Sequence, residues 1–400
     1  MNRLILALIL LLFLAACAGK APAPLPLPSD EPSSGKVDPL LPVDWANVDG
    51  WQRDDLTAAL EAFQKSCRAV GGRERWQLVC DEAAKIDPPS ATQARIFFEK
   101  FFVPHQVRNK DGSEGGLITG YYGPELAGSR EPTDRFRYPL YAQPEDLLII
   151  DLDEIYPELE NYRLRGRVVG NRVVPYFERS EIDNGNNLLA GHEIFWVEDP
   201  VELFFLHIQG SGRIRLPDGE LVMVSYANQN GHRYHSIGKL LLERNAMTRD
   251  QMSMQNIRRW VSEHPEEGRK LLAENPSYVF FRELPAEFTL PPGALGVPLT
   301  AQRSLAVDPR TIPLGAPVFL ATTFPGSNQP LQQLMIAQDT GGAIKGQVRA
   351  DFFWGMGQDA GAIAGRMKQD GRMWVLLPKK PDELEFQTQV KTDNFASEVN

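Results

Sequence analysis

Residues 338–361 have the sequence QDTGGAIKGQVRADFFWGMGQDAG, in which carboxylates, glycines and aromatic side chains are concentrated more than anywhere else in the 400-residue chain. The apolar run just before it predicts a short strand that ends at Asp339. Gly341 and Gly342 predict a turn with positive φ, or a close approach of the backbone to a ligand. Residues 348–354 predict a returning strand that carries Asp351.

Two carboxylates on either side of a glycine turn, next to flat aromatic faces, fit acid-base chemistry on a sugar chain. A glycosidic oxygen needs a proton to leave, and sugar rings stack on aromatic side chains. The same residues also fit a plain turn followed by a buried strand, because Asp-Gly turns are common and do no chemistry in most proteins. The residue types alone leave both interpretations open.

The whole string is more specific than its parts. DTGGAIKG, followed by RAD and FWGMG, resembles the aspartate-bearing domain of the membrane-bound lytic murein transglycosylase A family. The sequences TGYY at 119–122, VVPYFER at 173–179, HIQGSG at 207–212 and NPSYVFF at 275–281 resemble other elements of that family. The resemblance therefore covers most of residues 45–377.

This resemblance implies a reaction. The family cleaves the β-1,4 bond between N-acetylmuramic acid and N-acetylglucosamine in peptidoglycan and leaves 1,6-anhydromuramoyl ends, with no cofactor. Asp351 aligns with the family's catalytic aspartate, and Asp339 is expected to assist it. Because Asp351 must begin as a protonated acid, we expect burial near Phe352 and repulsion from Asp339 to raise its pKa.

The resemblance also implies a substrate groove. In the family this groove is lined by the TGYY element, here Thr119, Tyr121 and Tyr122, although a turn between strand and domain with two half-buried tyrosines is the alternative. Gln209 is a candidate polar residue of the groove, or an ordinary loop amide. The other expected glycan-binding residues are Gly341, Gly342, Lys345 and Phe353.

Two other functions remain open at this stage. One is a glycan hydrolase that uses Asp339 and Asp351 as a pair of carboxylates. The other is a wall-binding lipoprotein without activity, in which the aspartates only form hydrogen bonds to glycan. Reaction products distinguish the first alternative, and turnover distinguishes the second.

Composition excludes some partners. The net charge of −10 argues against nucleic acid and against adhesion to an anionic surface through a basic patch. Only His232 and His235 of the six histidines lie close together, without a third ligand, so no metal site is predicted.

The first 17 residues have the pattern of a lipoprotein signal peptide. A basic start and a short apolar run precede Leu-Ala-Ala-Cys, which resembles a bacterial lipobox and implies lipidation of Cys17. The alternative is an ordinary signal peptide with an incidental cysteine. Ala18 after this cysteine implies sorting to the outer membrane of a Gram-negative bacterium, on the periplasmic side. The proline-rich residues 18–44 then predict an extended tether.

Cys67 and Cys80 are the two cysteines that remain after Cys17. In an exported chain a single remaining pair favours a disulfide, although two buried thiols are the alternative. Cys67 belongs to a predicted helix over residues 51–70, which has Leu56, Leu60 and Phe63 on the same face. Ser90 and Gln93 predict a capping box that opens a second helix.

The predicted fold is mainly β with some helices. Short alternating segments between 126 and 285, including 203–208 as a strand, predict a β-barrel. The resemblance implies that this barrel is inserted into a double-psi β-barrel catalytic domain formed by residues 45–125 and 286–380, and that 381–400 are a polar tail. The expected partners are peptidoglycan glycan strands, the outer membrane through the lipid anchor, and a cell-wall synthesis or division complex.

Overall fold

The computed structural model describes residues 38–159, 162–184, 187–380 and 383. The predicted signal peptide, the lipidation at Cys17, most of the tether and nearly all of the polar tail lie outside these residues. The described residues form one compact unit.

Strands dominate the described part of the chain. They are β1 (Leu40–Pro42), β2 (Phe102–Val107), β3 (Gly116–Gly123), β4 (Glu125–Ser129), β5 (Tyr138–Tyr141), β6 (Leu148–Ile149), β7 (Arg165–Val169), β8 (Arg172–Pro175), β9 (Glu193–Val197), β10 (Ser211–Arg215), β11 (Leu221–Gln229), β12 (Val279–Glu283), β13 (Ser304–Val307), β14 (Pro317–Thr323), β15 (Pro330–Asp339), β16 (Arg349–Met356) and β17 (Lys368–Pro378).

Fewer of the described residues lie in α-helices than in strands. They are α1 (Thr57–Val70), α2 (Glu74–Ala83), α3 (Ala91–Phe101), α4 (Arg179–Asp183), α5 (Pro200–Gln209), α6 (Ile237–Glu243), α7 (Met254–Glu263), α8 (Pro265–Ala273) and α9 (Gly357–Ala364). None of the described helices is both long enough and apolar enough to cross a bilayer.

The larger sheet has eight strands in the order β1-β2-β17-β14-β15-β13-β16-β3. Because β3 also pairs with β17, the strands from β17 to β3 form a closed ring. Two neighbouring pairs in this ring, β13 with β15 and β16 with β3, are parallel. The ring therefore brings the strand that carries Asp351 next to a strand from the N-terminal third of the chain.

Helices α1 to α3 cover this sheet with aromatic side chains. Phe63 of α1 packs against Phe97, Phe98 and Phe102, with ring centroids 5.7–6.1 Å apart. All four side chains are buried. This apolar contact holds α1 and α3 to the sheet at β2.

The predicted helix over 51–70 is wrong at its start. Residues Trp51–Arg53 form a short 3-10 helix, and the α-helix begins at Thr57. Asp54 is extended between them, and its carboxylate accepts hydrogen bonds from the Arg303 guanidinium at 2.8 Å and from the Leu334 backbone N–H at 2.7 Å. These contacts with the ring replace the helical turn.

The predicted tether also ends earlier than expected. Leu40–Pro42 pairs antiparallel with β2, with Leu40 opposite Val107. Proline is tolerated here because the strand lies at the edge of the sheet. The extended segment therefore joins the folded body before residue 44.

The second sheet has the order β12-β11-β10-β4-β9-β5. A single bridge from Ala142 to Phe281 links the end of β5 to β12, so the two outer strands meet. Pro124 separates β3 of the ring from β4 of this sheet. A smaller sheet of β6, β7 and β8 completes the middle of the chain.

The predicted strand over 203–208 is wrong, because these residues belong to helix α5. Asp199 caps the helix by accepting hydrogen bonds from the N–H groups of Val201 and Glu202, and Pro200 occupies its first turn. Gly210 ends it with φ of 75°. A continuous apolar run carries no periodicity, so the capping residues decide the structure.

Candidate active site

Asp339 and Asp351 lie on opposite sides of the same strand. Ala306 of β13 pairs with Asp339 on one side and with Asp351 on the other. Because neighbouring strands lie about 4.8 Å apart, the backbones of the two aspartates are separated by about 10 Å. The sequence places both residues at strand positions, and the ring determines that a third strand lies between them.

Asp351 is half-buried and receives a hydrogen bond from β3. The Thr119 hydroxyl donates to its Oδ1 at 2.6 Å, and the register of β16 with β3 places the two residues opposite each other. Burial raises the pKa of Asp351 to about 6. The Thr119 hydrogen bond and the Arg349 charge lower this pKa, and the Asp339 charge raises it slightly. Burial, rather than repulsion between the aspartates, is therefore the main cause of the upward shift.

Asp339 is surrounded by donors. The backbone N–H groups of Ala294 and Thr340 both donate to its Oδ1 at 2.9 Å, and the Tyr121 hydroxyl donates to its Oδ2 at 2.9 Å. Burial raises the pKa of Asp339, and these hydrogen bonds oppose that shift. Asp339 is thus an anchored acceptor that joins three separate segments of the chain.

The loop that contains Ala294 packs closely against the end of β15. A Cβ atom at Gly293 would lie 2.3 Å from the Gln338 carbonyl oxygen, so only glycine fits there. Gln338 itself is buried, and its side-chain amide donates to the Ala62 carbonyl at 3.1 Å and to the Ser66 hydroxyl at 2.8 Å. Sequence reasoning missed this loop, for which the two prolines and two glycines of PPGALG, residues 291–296, are the local signal.

Tyr121 and Phe353 form an aromatic pair next to the aspartates. They lie opposite each other in the β3–β16 register, and their ring centroids are 5.1 Å apart. Phe353 is almost completely buried, whereas Tyr121 is half-buried. Phe353 therefore supports the Tyr121 ring from behind.

The loop between β15 and β16, residues 340–348, is called the glycine loop here, and its conformation differs in detail from the prediction. Positive φ falls on Gly346, at 125°, and not on Gly341 or Gly342. The Gly346 N–H donates to Asp308 Oδ2 at 2.9 Å. Hydrogen bonds from Arg310 lower the pKa of Asp308 to about 2, so Asp308 anchors the loop as a carboxylate.

Two other members of the predicted groove lie on this loop. Gly342 is exposed, and no atom lies within 4 Å of the position that a Cβ atom would take there. Lys345 is also exposed. The loop thus leaves open space at Gly342, three residues after Asp339.

Tyr122 and Gln209 are not brought to the aspartates. Successive side chains of a strand point to opposite faces, so Tyr122 lies on the other face of β3 from Tyr121. It is buried, its hydroxyl contacts the Met254 Sδ at 2.9 Å, and its ring occupies the space beside Gly361. Gln209, at the end of α5, accepts a hydrogen bond from the Tyr122 backbone N–H at 3.4 Å.

No group of three or more histidine, cysteine, aspartate or glutamate side chains in the described ranges is arranged to hold a metal ion. His232, one of the two neighbouring histidines, instead contacts the Tyr176 carbonyl through Nε2 at 2.7 Å.

Comparison with known proteins places the chain in a family. A family model described as the MltA specific insert domain matches residues 117–282, and one described as the 3D domain matches residues 303–377. The chain is 35% identical over 278 residues to membrane-bound lytic murein transglycosylase A of Escherichia coli K12, and the alignment covers 68% of each chain. The protein belongs to this family, MltA. The Vibrio cholerae relative of the same name is 33% identical over 280 residues and is likewise covered to 68%.

Solved MltA structures have the same architecture. The monoclinic crystal form of MltA from Neisseria gonorrhoeae matches with a TM-score of 0.76 and 38% identity, over 85% of this chain and 92% of that one. The lytic transglycosylase LtgG of Burkholderia pseudomallei matches with a TM-score of 0.61 and 45% identity, over 86% and 96%. Escherichia coli MltA with bound chitohexaose matches with a TM-score of 0.65 and 28% identity, over 90% and 100%.

Proposed function

We propose that Asp351 alone supplies the acid and the base of this peptidoglycan lytic transglycosylase. The observation that carries the proposal is the environment of Asp351. It is partly buried, its carboxyl group accepts a hydrogen bond from one donor among the described residues, and burial raises its pKa to about 6. A carboxyl group with such a pKa exchanges its proton readily near neutral pH, as a residue that acts first as acid and then as base must do.

The reaction needs two proton transfers and no water. Protonated Asp351 donates to the glycosidic oxygen as the bond from that oxygen to C1 of the muramoyl residue breaks. The resulting carboxylate then accepts the proton of the C6 hydroxyl on the same residue, and the C6 oxygen forms a bond to C1. The products are a free N-acetylglucosamine hydroxyl and a 1,6-anhydromuramoyl end, and Asp351 is protonated again.

Asp339 has a different role in this proposal. It accepts three hydrogen bonds from the protein, from Ala294, Thr340 and Tyr121. A nucleophile or a base for water needs a free lone pair that faces the substrate. Asp339 is therefore assigned to hold Tyr121 and the loop that contains Ala294 in place. This role argues against a hydrolase with two catalytic carboxylates.

A glycan strand is the substrate in this proposal. The crystal structure of Escherichia coli MltA contains bound chitohexaose, and its fold matches 90% of this chain. We assign the contact surface to Thr119, Tyr121, Gly341, Gly342 and Lys345, which belong to β3 and to the glycine loop next to Asp351. Phe353 supports Tyr121 from behind, and Gln209 and Tyr122 act through the backbone of β3.

We also infer the finer architecture. The closed ring of strands supports a double-psi β-barrel made from residues 45–125 and 286–380. The bridge from Ala142 to Phe281 supports a second barrel, inserted between residues 126 and 285. The inserted segment follows β3, which contacts Asp351 through Thr119, and precedes the loop of Ala294, which contacts Asp339. The glycan is therefore proposed to lie between the two barrels.

We further propose that lipidated Cys17 anchors the protein to the periplasmic face of the outer membrane. The curated relatives are named membrane-bound. The lipobox-like ending Leu-Ala-Ala-Cys and the proline-rich residues after it support an anchor followed by a tether. Such a tether would let the catalytic body reach peptidoglycan and cell-wall complexes from the membrane.

Product analysis tests the reaction. Purified peptidoglycan is digested in heavy-oxygen water, and the muropeptides are weighed by mass spectrometry. Attack by the C6 hydroxyl gives anhydro ends that carry no label, because the intramolecular nucleophile is favoured over water by its fixed proximity, with effective molarities that reach about 10⁵ M or more in well-oriented systems. Predominantly labelled reducing ends would show instead that the enzyme is a hydrolase.

A further inference from the structure

Three side chains form a hydrogen-bonded chain that ends at the proposed acid. Arg349 Nη2 donates to the Thr119 hydroxyl oxygen at 2.8 Å, and the Thr119 hydroxyl donates to Asp351 Oδ1 at 2.6 Å. Arg349 is half-buried, and its Nη1 donates to the carbonyl oxygens of Ala350 and Leu117. Both strands of the β3–β16 pair therefore hold the guanidinium in place.

We propose that Arg349 is a positioning residue that acts through Thr119 to fix the orientation of Asp351 and to stabilise its carboxylate form. The inference rests on the proposed role of Asp351 and gives a role to the arginine of the RAD string, to which the sequence pattern assigned none. Arg349 itself is not assigned any contact with substrate.

The direction of the Thr119 proton follows from the donor inventory. A threonine hydroxyl has one proton and two lone pairs, whereas a guanidinium can only donate. Because Arg349 donates to the Thr119 oxygen, that oxygen acts as the acceptor and its proton is free to point at Asp351 Oδ1. In the protonated acid, Oδ1 is thus already occupied as an acceptor. The acidic proton is left on Oδ2, from which it can reach the glycosidic oxygen.

The titratable groups around Asp351 come from three elements. Arg349 is on its own strand, Asp339 is at the end of β15, and Tyr121 is on β3. Arg349 is the cation of this set, and its guanidinium contacts a hydroxyl and two carbonyls rather than a carboxylate. Its charge is therefore available to stabilise the Asp351 carboxylate that forms when the proton leaves.

This role predicts that loss of Arg349 lowers the rate and extends the active pH range to higher pH. Without the cation the carboxylate is less stable, so proton donation becomes slower. The same loss makes the acid hold its proton to higher pH, so the falling limb of kcat/KM moves to higher pH. A residue that only supports the fold would lower activity without moving that limb.

The test measures release of anhydro ends from purified glycan strands, as kcat/KM, across the acidic and neutral range. Arg349→Met is expected to lower kcat/KM by about tenfold or more and to move the falling limb to higher pH. Arg349→Lys keeps a positive charge and is expected to leave the limb near its wild-type position. Arg366→Met, which removes an exposed arginine on the loop after α9, is the matched control and is expected to change neither quantity.

Thr119 provides a second, independent variant. Thr119→Val keeps the shape of the side chain but cannot donate a hydrogen bond, so the falling limb of kcat/KM is again expected at higher pH. Thr119→Ser retains the hydroxyl, so its falling limb is expected at the wild-type pH. Melting temperatures identify any variant that fails to fold, and the Thr119 pair then decides the result.

Two results would overturn the inference. One is a falling limb that stays at the wild-type pH in both Arg349→Met and Thr119→Val, and the other is wild-type kcat/KM in Arg349→Met. In either case an inactive Asp351→Asn variant would leave the proposed function in place. Conversely, an active Asp351→Asn variant would remove the proposed function itself.

Discussion

At the scale of single residues, Asp351 binds its proton more tightly in the folded protein than in the unfolded chain. Its pKa rises from the ordinary 3.8 to about 6 because burial disfavours the charged form. Its contribution to stability is therefore fully present below the unfolded pKa and is lost as the pH rises through the folded pKa. At neutral pH the buried carboxylate is therefore mostly charged, which lowers the stability of the folded protein. The same burial gives Asp351 the raised pKa that its proposed role as an acid needs.

We predict that Asp351→Asn abolishes anhydro product formation and has a higher melting temperature than the wild type at a pH of about 7.5, with the difference disappearing at a pH of about 4. The amide keeps the shape of the side chain but neither donates the acidic proton nor becomes charged. Calorimetry at the two pH values and a muropeptide assay measure both effects. Asp370→Asn, which changes an exposed aspartate, serves as the control. Substantial turnover by Asp351→Asn would contradict the assignment of the acid.

Asp339→Asn should reduce activity less than Asp351→Asn, by about tenfold to a hundredfold. The amide oxygen can still accept from the backbone N–H groups of Ala294 and Thr340, whereas the NH2 group in the place of Oδ2 cannot accept the hydrogen bond from Tyr121. Steady-state kinetics with both variants make the comparison. If Asp339→Asn were as inactive as Asp351→Asn while folded, Asp339 would have a direct part in the chemistry.

At the scale of elements, a disulfide between Cys67 and Cys80 joins α1 to α2 across a separation of 13 residues. Helix α1 also carries Ala62 and Ser66, which hold the buried Gln338 side chain next to Asp339. The disulfide therefore stabilises the helix that supports the end of β15, where the glycine loop begins.

We predict that replacing both cysteines by serine lowers the free energy of unfolding by about 3 kcal/mol, the value that chain entropy gives for a loop of about this length. Urea unfolding of the exported protein with and without the substitutions measures the loss. Labelling under denaturing, non-reducing conditions is the accompanying check, since two reactive thiols in the wild type would show that the bond does not form in the cell.

At the scale of the whole molecule, the described residues begin at Asp38, and the proposed anchor at Cys17 lies outside them. Cys17→Ser is therefore predicted to release the protein from the membrane, or to leave an unprocessed precursor, without changing the activity of the purified body. Membrane fractionation after a salt wash measures the distribution, and the same assay on the wild type is the reference. Recovery of the variant in the outer-membrane fraction would contradict a lipid anchor at Cys17.

The sequence alone determined the strands that carry Asp339 and Asp351, the helix cap at Ser90, and membership of the MltA family. These features depend on residues that are close together in the chain, such as a serine and the N–H group three positions later. The period of two in a strand also contained a signal that the prediction did not use, because it places Tyr122 on the opposite face from Tyr121.

The tertiary structure alone decided which groups surround the two aspartates. Thr119 and Asp351 are 232 residues apart, Tyr121 and Asp339 are 218 apart, and Ala294 and Asp339 are 45 apart. Their contacts follow from the order in which the strands close the ring, and local patterns carry no information about that order. The pKa of Asp351 is decided in the same way, because burial by distant segments removes the carboxyl group from water and creates an acid that no stretch of sequence specifies by itself.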